Sequence, residues 1–232
     1  MQGLLVIDKP AGLTSQRVVA RIKHRLADEL GIKPKKLKVG HAGTLDPMAT
    51  GVLVIGVAKA TPLLGTIAGH DKSYTATIRL GSATTTDDAE GQPIGEPIDA
   101  TGLEDEAIKT AINNLTGQIQ QVPSQFSAIK VNGQRAYKLA RSGQDFELAA
   151  RPITVTRFEI LSRRDAKPFV DLDVLVECST GTYVRALARD LGQALGVGGH
   201  LTALRRDRVG VFSLDQALAI DDISLQSLMG QS

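Results

Sequence analysis

Residues that could do chemistry are concentrated in one short stretch, residues 40–51, with the sequence GHAGTLDPMATG. The stretch combines the imidazole of His41 and the carboxylate of Asp46 with three glycines. A carboxylate held in a loop can act as a nucleophile or take up a proton. Each feature taken alone also has an ordinary structural explanation. Asp before Pro is common in turns, a single histidine is commonly a hydrogen-bonded structural residue, and glycines serve turns with positive φ.

Taken as a whole, this stretch matches every position of the pattern Gly-His-x-Gly-Thr-Leu-Asp-Pro-x-Ala-Thr-Gly. It therefore resembles the catalytic loop of the TruB family of tRNA pseudouridine synthases. One departure is that Ala60-Thr61 is followed by Pro62, where the family often has a lysine. Other segments are similar to the same family, so that the resemblance covers most of the chain: residues 3–10, 12–15, 72–74, 121–153, 181–185 and 201–206.

The resemblance implies a role for each of seven residues. Asp46 is implied to be the catalytic nucleophile, with Arg185 beside it as the cation that favours the ionised carboxylate. Tyr74 is implied to stack on the uracil and to relay a proton. The remaining four residues are implied to contact the substrate. His41 fills the space that a flipped base vacates, Tyr183 and Leu204 line the pocket, and Lys130 grips the RNA.

The implied reaction is the isomerisation of a uridine in the T-loop of tRNA, at position 55, to pseudouridine. The base must first leave its stack, at a cost of a few kcal/mol. The reaction breaks the bond from C1′ to N1 and joins C1′ to C5, so no cofactor and no metal are required. Because the detached uracil is itself the second reactant, one carboxylate is sufficient, whereas glycosidases use two.

The composition is compatible with an RNA-modifying enzyme but does not by itself indicate one. The chain has 232 residues, 42% of them hydrophobic, and a net charge of +2. Its basic residues are clustered, at residues 33–38 and at residues 205–208, where they either face solvent or contact RNA. The single cysteine, Cys178, cannot form an intramolecular disulfide and is expected in the core, and four scattered histidines predict no zinc site. No apolar run reaches the roughly 20 residues of a membrane span, and the start lacks a signal peptide, which predicts a cytoplasmic protein.

Periodicity predicts the elements that position these residues. Residues 15–30 form a helix capped by Thr14 or Ser15, with an apolar stripe at Val18, Ile22 and Leu26. Residues 51–57 read as a buried strand, and residues 73–81 and 170–179 alternate as strands do. Thr101 and Glu104 predict a capping box. The irregular order of strands and helices favours an α+β (mixed α/β) fold, and the resemblance implies the pseudouridine synthase fold: a central, mostly antiparallel sheet flanked by helices, with the active-site cleft across it.

The organisation expected is one catalytic domain over residues 1–232, with an inserted RNA-gripping loop at about residues 120–152 and no further domain. The expected partner is the tRNA T-stem-loop, bound by a monomer without an obligate protein partner. Two alternatives remain at this point: a guide-RNA-dependent pseudouridine synthase, and a non-catalytic module that binds tRNA and helps it fold. We also expect Arg185→Met to impair catalysis with only a modest loss of stability.

Overall fold

The structure, a computed structural model, describes residues 2–127, 129–131 and 133–229. Its strands and helices, in chain order, are β1 (Gln2–Lys9), α1 (Ser15–Glu29), β2 (Val39–Ala42), β3 (Thr50–Ala58), α2 (Leu64–Ala68), β4 (Lys72–Leu80), β5 (Ala83–Thr84), β6 (Pro93–Ile94), α3 (Asp105–Asn114), β7 (Gly117–Gln121), β8 (Lys130–Val131), β9 (Gln134–Arg135), α4 (Ala136–Arg141), β10 (Arg151–Ala166), β11 (Phe169–Cys178), α5 (Val184–Ala194), β12 (Gly199–Val209), β13 (Phe212–Ser213) and α6 (Leu225–Met229).

Two compact units make up the chain. The first contains Met1–Tyr74 and Leu204–Ser232, and the second contains Thr75–Ala203. We call them the first unit and the second unit.

The first unit is organised around strand β3, whose interior residues are buried on both faces. β3 pairs antiparallel with β1, from Gln2↔Ala58 to Lys9↔Gly51, and also antiparallel with β2. Alternate residues of β3 belong to two separate apolar clusters: Leu53 and Ile55 pack with helix α1, and Val52 and Val54 pack with Val6 of β1. The continuous apolar run in the sequence is therefore a strand covered on both faces.

Helix α1 begins as the sequence predicts. The Thr14 side chain accepts a hydrogen bond from the Arg17 N–H at 3.1 Å, which satisfies one of the free donors of the first turn. Val18, Ile22 and Leu26 are fully buried and confirm the predicted stripe. Burying each of these side chains contributes about 1.5–3 kcal/mol to folding.

The second unit contains an antiparallel arrangement of β11, β10 and β7, in which β10 pairs with both neighbours. The predicted alternation of β11 is confirmed, because its buried side chains occur at every second position and end with Cys178 in the core. On β4, the Thr77 hydroxyl donates to the Asp173 carboxylate of β11 at 2.7 Å. Helices α3 and α5 contact one another in this unit.

The predicted fold class is confirmed: the fold is mixed α+β with a central, mostly antiparallel sheet and six helices among the described residues. The predicted capping box is wrong. The N-cap of α3 is Glu104, and the Thr101 hydroxyl donates instead to Asp99 at 2.6 Å. The stretches predicted as loops contain further elements: β2 precedes Asp46, and the hairpin β8–β9 and helix α4 lie within residues 120–152. Across the described part of the chain, every helix is too short or too polar to span a membrane.

Candidate active site

The candidate site residues are divided between the two units. His41, Asp46, Tyr74 and Leu204 belong to the first unit, and Lys130, Tyr183 and Arg185 belong to the second. Asp46 lies in the loop that joins β2 to β3, and its side chain is partly exposed. This loop is the segment that the sequence motif marks as catalytic.

The residues on either side of Asp46 form hydrogen bonds with the first residue of α1 and with the turn that precedes this helix. The Ser15 hydroxyl, itself buried, donates to the Leu45 carbonyl at 2.9 Å and accepts from the Leu45 N–H at 2.8 Å. The Gly12 N–H donates to the Pro47 carbonyl at 2.8 Å. The backbone of Asp46 is therefore held between two fixed neighbours, which is the preorganisation that a reacting carboxylate requires.

Lys9 also fixes this loop, through hydrogen bonds made by its buried side chain. Its side chain is fully buried, and the ammonium donates to the carbonyls of Leu13 at 2.6 Å, Pro10 at 2.9 Å and Pro47 at 3.3 Å. A buried ammonium is tolerated only where its protons are bonded. Lys9 thus fastens the turn at residues 10–13 to the residue that follows Asp46. The sequence marked Lys9 only as part of a segment that resembles the TruB family.

Arg206 fixes both ends of the catalytic loop. Its guanidinium donates to the Gly43 carbonyl at 3.1 Å, before Asp46, and to the Val52 carbonyl at 2.8 Å, after it. The backbone of Arg206 also pairs with Gly51 in a parallel register. Arg206 is only 1% exposed, so the sequence-based assignment of this residue to an exposed basic cluster is wrong. Its positive charge is used internally and is not offered to RNA.

Gly51 is required by this close approach of two backbones. It has φ of +99°, and a Cβ at this position would lie 2.2 Å from the Arg206 carbonyl oxygen. No real Cβ approaches a backbone atom so closely, so any side chain would push β3 away from β12. The glycine that ends the motif is therefore explained by packing, whereas the motif alone indicated only a turn.

His41 lies on β2, and its Nδ1 is buried without a hydrogen-bond partner among the described residues. Burial lowers the pKa of His41 below its usual 6.5, a backbone hydrogen bond with Gly43 opposes this, and the positive charge of Arg206 lowers the pKa further. The ring is therefore a neutral imidazole at neutral pH. Its Nδ1 is a buried polar atom whose hydrogen-bonding capacity is unused among the described residues.

Replacement of His41 by glutamine is expected to flatten the acid side of the stability profile. In the unfolded chain this histidine titrates near 6.5, and in the folded protein it titrates lower. As pH falls, the unfolded chain therefore binds the proton first. The free energy of unfolding of the wild type then declines once the pH is below the pKa that His41 has in the unfolded chain. Urea unfolding of both proteins between about pH 7.5 and about pH 5 tests this. Curves that stay parallel through this range would contradict the lowered pKa.

Tyr74 and Leu204 complete the first-unit set. Tyr74 lies at the third position of β4 and is 7% exposed, so most of its ring is buried. Leu204, on β12, is partly buried and packs against the cluster that contains α1. Four of the seven predicted residues are therefore in the unit that holds the catalytic loop.

In the second unit, Tyr183 and Arg185 lie at the start of helix α5. Tyr183 is the N-cap residue and has no capping bond from its own side chain. The Gln121 side-chain amide brackets its backbone, accepting from the Tyr183 N–H at 2.9 Å and donating to the Tyr183 carbonyl at 3.1 Å. Gln121 is 1% exposed. This amide therefore fixes the entry into α5, a role that sequence patterns do not reveal.

Arg185 is buried and is held by the loop around Asp88. Its guanidinium pairs with the buried Asp88 carboxylate at 3.3 Å. It also donates to the carbonyls of Thr86 at 2.8 Å and Phe126 at 2.9 Å. Arg185 thus joins three separate segments of the second unit. Although it lies in the first turn of a helix, Arg185 is therefore an interior side chain and does not face solvent.

This pairing gives a physical reason to expect that Arg185→Met lowers stability more than the sequence alone suggests. The variant leaves the Asp88 carboxylate buried without this cation, which is expected to cost about 3–5 kcal/mol. The double variant Arg185→Met/Asp88→Asn removes the unmatched charge and is expected to recover most of that loss. Chemical denaturation measures stability and a single-turnover assay measures activity. Recovery of activity together with stability would mean that Arg185 has only a structural role.

Lys130 is exposed on the short hairpin β8–β9. The same segment carries further exposed cations, at Arg135, Lys138 and Arg141. Helix α4 follows the hairpin directly, and the Tyr137 N–H donates to the Ser127 carbonyl at 3.0 Å. The segment therefore has internal structure and presents its positive charges to solvent. Among the described residues, no cluster of His, Cys, Asp and Glu suits a metal ion.

Solved structures with this architecture include proteins that were determined within larger complexes. The chain aligns with one described as "Crystal Structure of a Cbf5-Nop10-Gar1 Complex" at 29% identity and a TM-score of 0.68, covering 95% of this chain and 53% of the other. A second, "Structure of H/ACA RNP bound to a substrate RNA containing 2'-deoxyuridine", gives 27% identity and a TM-score of 0.64, with 95% and 51% covered. The chain thus spans about half the length of these two proteins.

Family models and curated relatives agree on a narrower class. Residues 30–184 match the model described as TruB family pseudouridylate synthase (N terminal domain), which defines the class of the protein as a pseudouridylate synthase. Residues 185–231 match the model of the tRNA pseudouridylate synthase B C-terminal domain. The chain belongs to the TruB family.

Two curated relatives illustrate the similarity. A protein of Nocardia farcinica is 61% identical over 222 residues, which covers 96% of this chain and 70% of that protein. A protein of Mycobacterium bovis is 57% identical over the same length, with 96% and 72% covered. Both carry the name tRNA pseudouridine synthase B.

Proposed function

We propose that this chain isomerises a uridine in the T-loop of tRNA, at position 55, to pseudouridine. The observation that carries the proposal is the complete catalytic-loop motif, in which the neighbours of Asp46 are fixed by hydrogen bonds, Leu45 to the Ser15 hydroxyl and Pro47 to the Gly12 N–H. The name shared by the relatives, tRNA pseudouridine synthase B, supports tRNA as the substrate.

In the proposed reaction the bond from C1′ to N1 breaks, the uracil turns in the pocket, and C1′ bonds to C5. The proton on C5 is lost and N1 gains one, so the atoms balance without a redox step. Asp46 serves as the essential carboxylate, by attack on C1′, by attack on C6 or by taking up a sugar proton. The reaction needs no electron carrier and no group donor, so neither cofactor nor metal forms part of the proposal.

The other site residues act around this carboxylate in the proposal. Arg185 is its cationic partner, as the resemblance to the family implies, and Tyr74 stacks on the uracil and relays the C5 proton. Support for a substrate role of His41 comes from its place on β2, shortly before Asp46, and from the resemblance to the family, which implies that this side chain fills the space that the flipped base vacates. The remaining residues line the pocket or grip the RNA: Tyr183, Leu204 and Lys130.

The RNA partner in this proposal is the T-stem-loop, gripped by the exposed cations of residues 120–152 through phosphate contacts and shape. We further propose that the chain works in the cytoplasm, as a monomer without an obligate protein partner. The whole of residues 1–232 acts as one catalytic domain in this proposal, with residues 120–152 as its RNA-gripping insertion.

A single experiment separates this proposal from its two alternatives. The purified protein is incubated with an unguided T-stem-loop RNA, and pseudouridine is mapped along it. We expect modification at one uridine of the loop. Turnover that appears only after addition of a guide RNA and partner proteins would favour a guide-dependent enzyme. Binding without any turnover would favour a non-catalytic module.

A further inference from the structure

Helix α1 and the segment that follows it concentrate positive charge in the first unit. Residues 15–38 contain eight lysines and arginines and two acidic residues, a formal charge of +6. Since the whole chain carries +2, all the other residues together carry −4. A nearly neutral protein thus has one strongly basic segment, which neither the catalytic loop nor the insertion at residues 120–152 includes.

The arginines of helix α1 have few anionic partners. Several arginines of the second unit form close ion pairs, such as Arg157 with Glu159 and Arg164 with Asp173. In the part of the chain that the structure describes, by contrast, no carboxylate lies within ion-pair distance of Arg17 or Arg21. Arg25 has only a long contact with Glu29, at 3.8 Å.

The fold directs these cations outward in a regular row. Because Val18, Ile22 and Leu26 face the core, the residues one position before each of them, Arg17, Arg21 and Arg25, are exposed. Successive members of this row are about 6 Å apart along the helix. The exposed lysines at residues 33, 35, 36 and 38 follow in the same unit, where the turn Pro34–Lys36 contacts α1.

A groove of about 700 Å³ runs beside the row. Its wall includes the three arginines and His24, whose ring nitrogen Nδ1 bonds the Ala20 carbonyl at 2.8 Å. The residues on the other side include Ile220 and one carboxylate, Asp221. Cations therefore outnumber anions around the groove. Among the described residues, no Phe, Tyr or Trp side chain lines it, which suits a phosphate backbone better than unstacked bases.

We propose that this basic surface, defined by Arg17, Arg21 and Arg25 with the four lysines of residues 33–38, binds the phosphate backbone of the tRNA substrate. The inference rests on the proposed function, and it adds a second RNA contact to the grip at residues 120–152. The planar guanidinium of arginine can donate two parallel hydrogen bonds to a phosphate. Each such contact also releases condensed counterions from the RNA, which makes binding favourable and dependent on salt. The partner is an RNA strand, since the row contributes repeated point charges and no apolar anchor.

The test compares two double variants that remove the same net charge. Arg17→Gln/Arg21→Gln changes the basic surface, and Arg157→Gln/Arg164→Gln removes two exposed arginines that are ion-paired. Binding of unmodified full-length tRNA is titrated with salt for the wild type and for both variants. We expect the first variant to reduce the slope of log K against log salt by about 2. It should also weaken binding about tenfold at physiological salt, whereas the second variant stays near the wild type.

Turnover at saturating tRNA is measured in parallel and is expected to be unchanged in the first variant. Unaltered affinity and slope in Arg17→Gln/Arg21→Gln would overturn the proposal, as would equal losses in both double variants, which would indicate a general effect of net charge. Failure of the proposed function has a different result: wild-type protein would form no pseudouridine in tRNA, whatever its affinity. All four substituted side chains are exposed, so the variants are expected to fold, and thermal unfolding checks this.

Discussion

Asp46→Asn is expected to abolish pseudouridine formation while changing RNA affinity by less than about tenfold, or roughly 1.4 kcal/mol. The substitution keeps the size of the side chain and the backbone ties of the loop, including the bond from the Ala49 N–H to the Asp46 carbonyl at 3.1 Å. It removes only the negative charge that the proposed chemistry uses. Affinity is expected to persist because most of it comes from phosphate contacts.

The measurement is single-turnover formation of pseudouridine in a T-stem-loop RNA, with affinity determined by filter binding on the same preparation. Asp71→Asn provides the matched control, since Asp71 is an exposed carboxylate of the same unit, outside the loop. The control is expected to turn over like the wild type. Sustained turnover by Asp46→Asn, above the trace that deamidation supplies, would exclude Asp46 as the essential carboxylate.

Gly51→Ala is expected to destabilise the protein by about 3 kcal/mol or more, although it adds only one methyl group. The new Cβ would lie 2.2 Å from the Arg206 carbonyl oxygen in a backbone with φ of +99°. Strand β3 must therefore move away from β12, and the loop of Asp46 moves with it. A displacement of about 1 Å at a reacting group can cost about 100-fold in rate, so turnover should fall to a similar extent.

Gly31→Ala separates this clash from ordinary backbone strain. Gly31 also has positive φ, +63°, but a Cβ there meets nothing within 4 Å. Its loss of stability should therefore be limited to about 1–2 kcal/mol, with turnover unchanged. Urea unfolding and single-turnover kinetics are compared for the two variants. Similar losses in both would show that the contact between Gly51 and Arg206 is not the cause.

Local patterns in the sequence were sufficient to predict helix α1 and strands β3, β4 and β11. Helix α1 follows from the Thr14 cap and the apolar stripe at Val18, Ile22 and Leu26, because capping and helical periodicity depend on residues a few positions apart. The failed capping box at Thr101 shows the limit of such patterns. Its hydroxyl had a nearer acceptor in Asp99, and a motif does not reveal which of two local bonds will form.

The catalytic-loop motif likewise indicates Asp46 as a candidate from residue types and their spacing alone. The motif could not indicate what holds the loop in place. Arg206 lies 163 residues from Gly43 and 154 from Val52, the two residues whose carbonyls it binds, and Lys9 lies 38 residues from Pro47. The sequence places both residues in segments that resemble the family but does not show that they are buried. The interior position of each depends on pairing between distant strands.

By itself, the sequence determined which residues are chemically capable, the alternation and periodicity that build α1, β3 and β11, and the concentration of positive charge at residues 15–38. These are properties of residue type and of near neighbours. Tertiary structure alone decided which charges face inward. Arg185 and Arg206 are buried and donate hydrogen bonds to carbonyl oxygens that are distant in the chain, whereas Arg17 and Arg21 are exposed. The physical reason is that burying a guanidinium is favourable only where the fold supplies acceptors for its protons, and those acceptors come from segments that are remote in the chain.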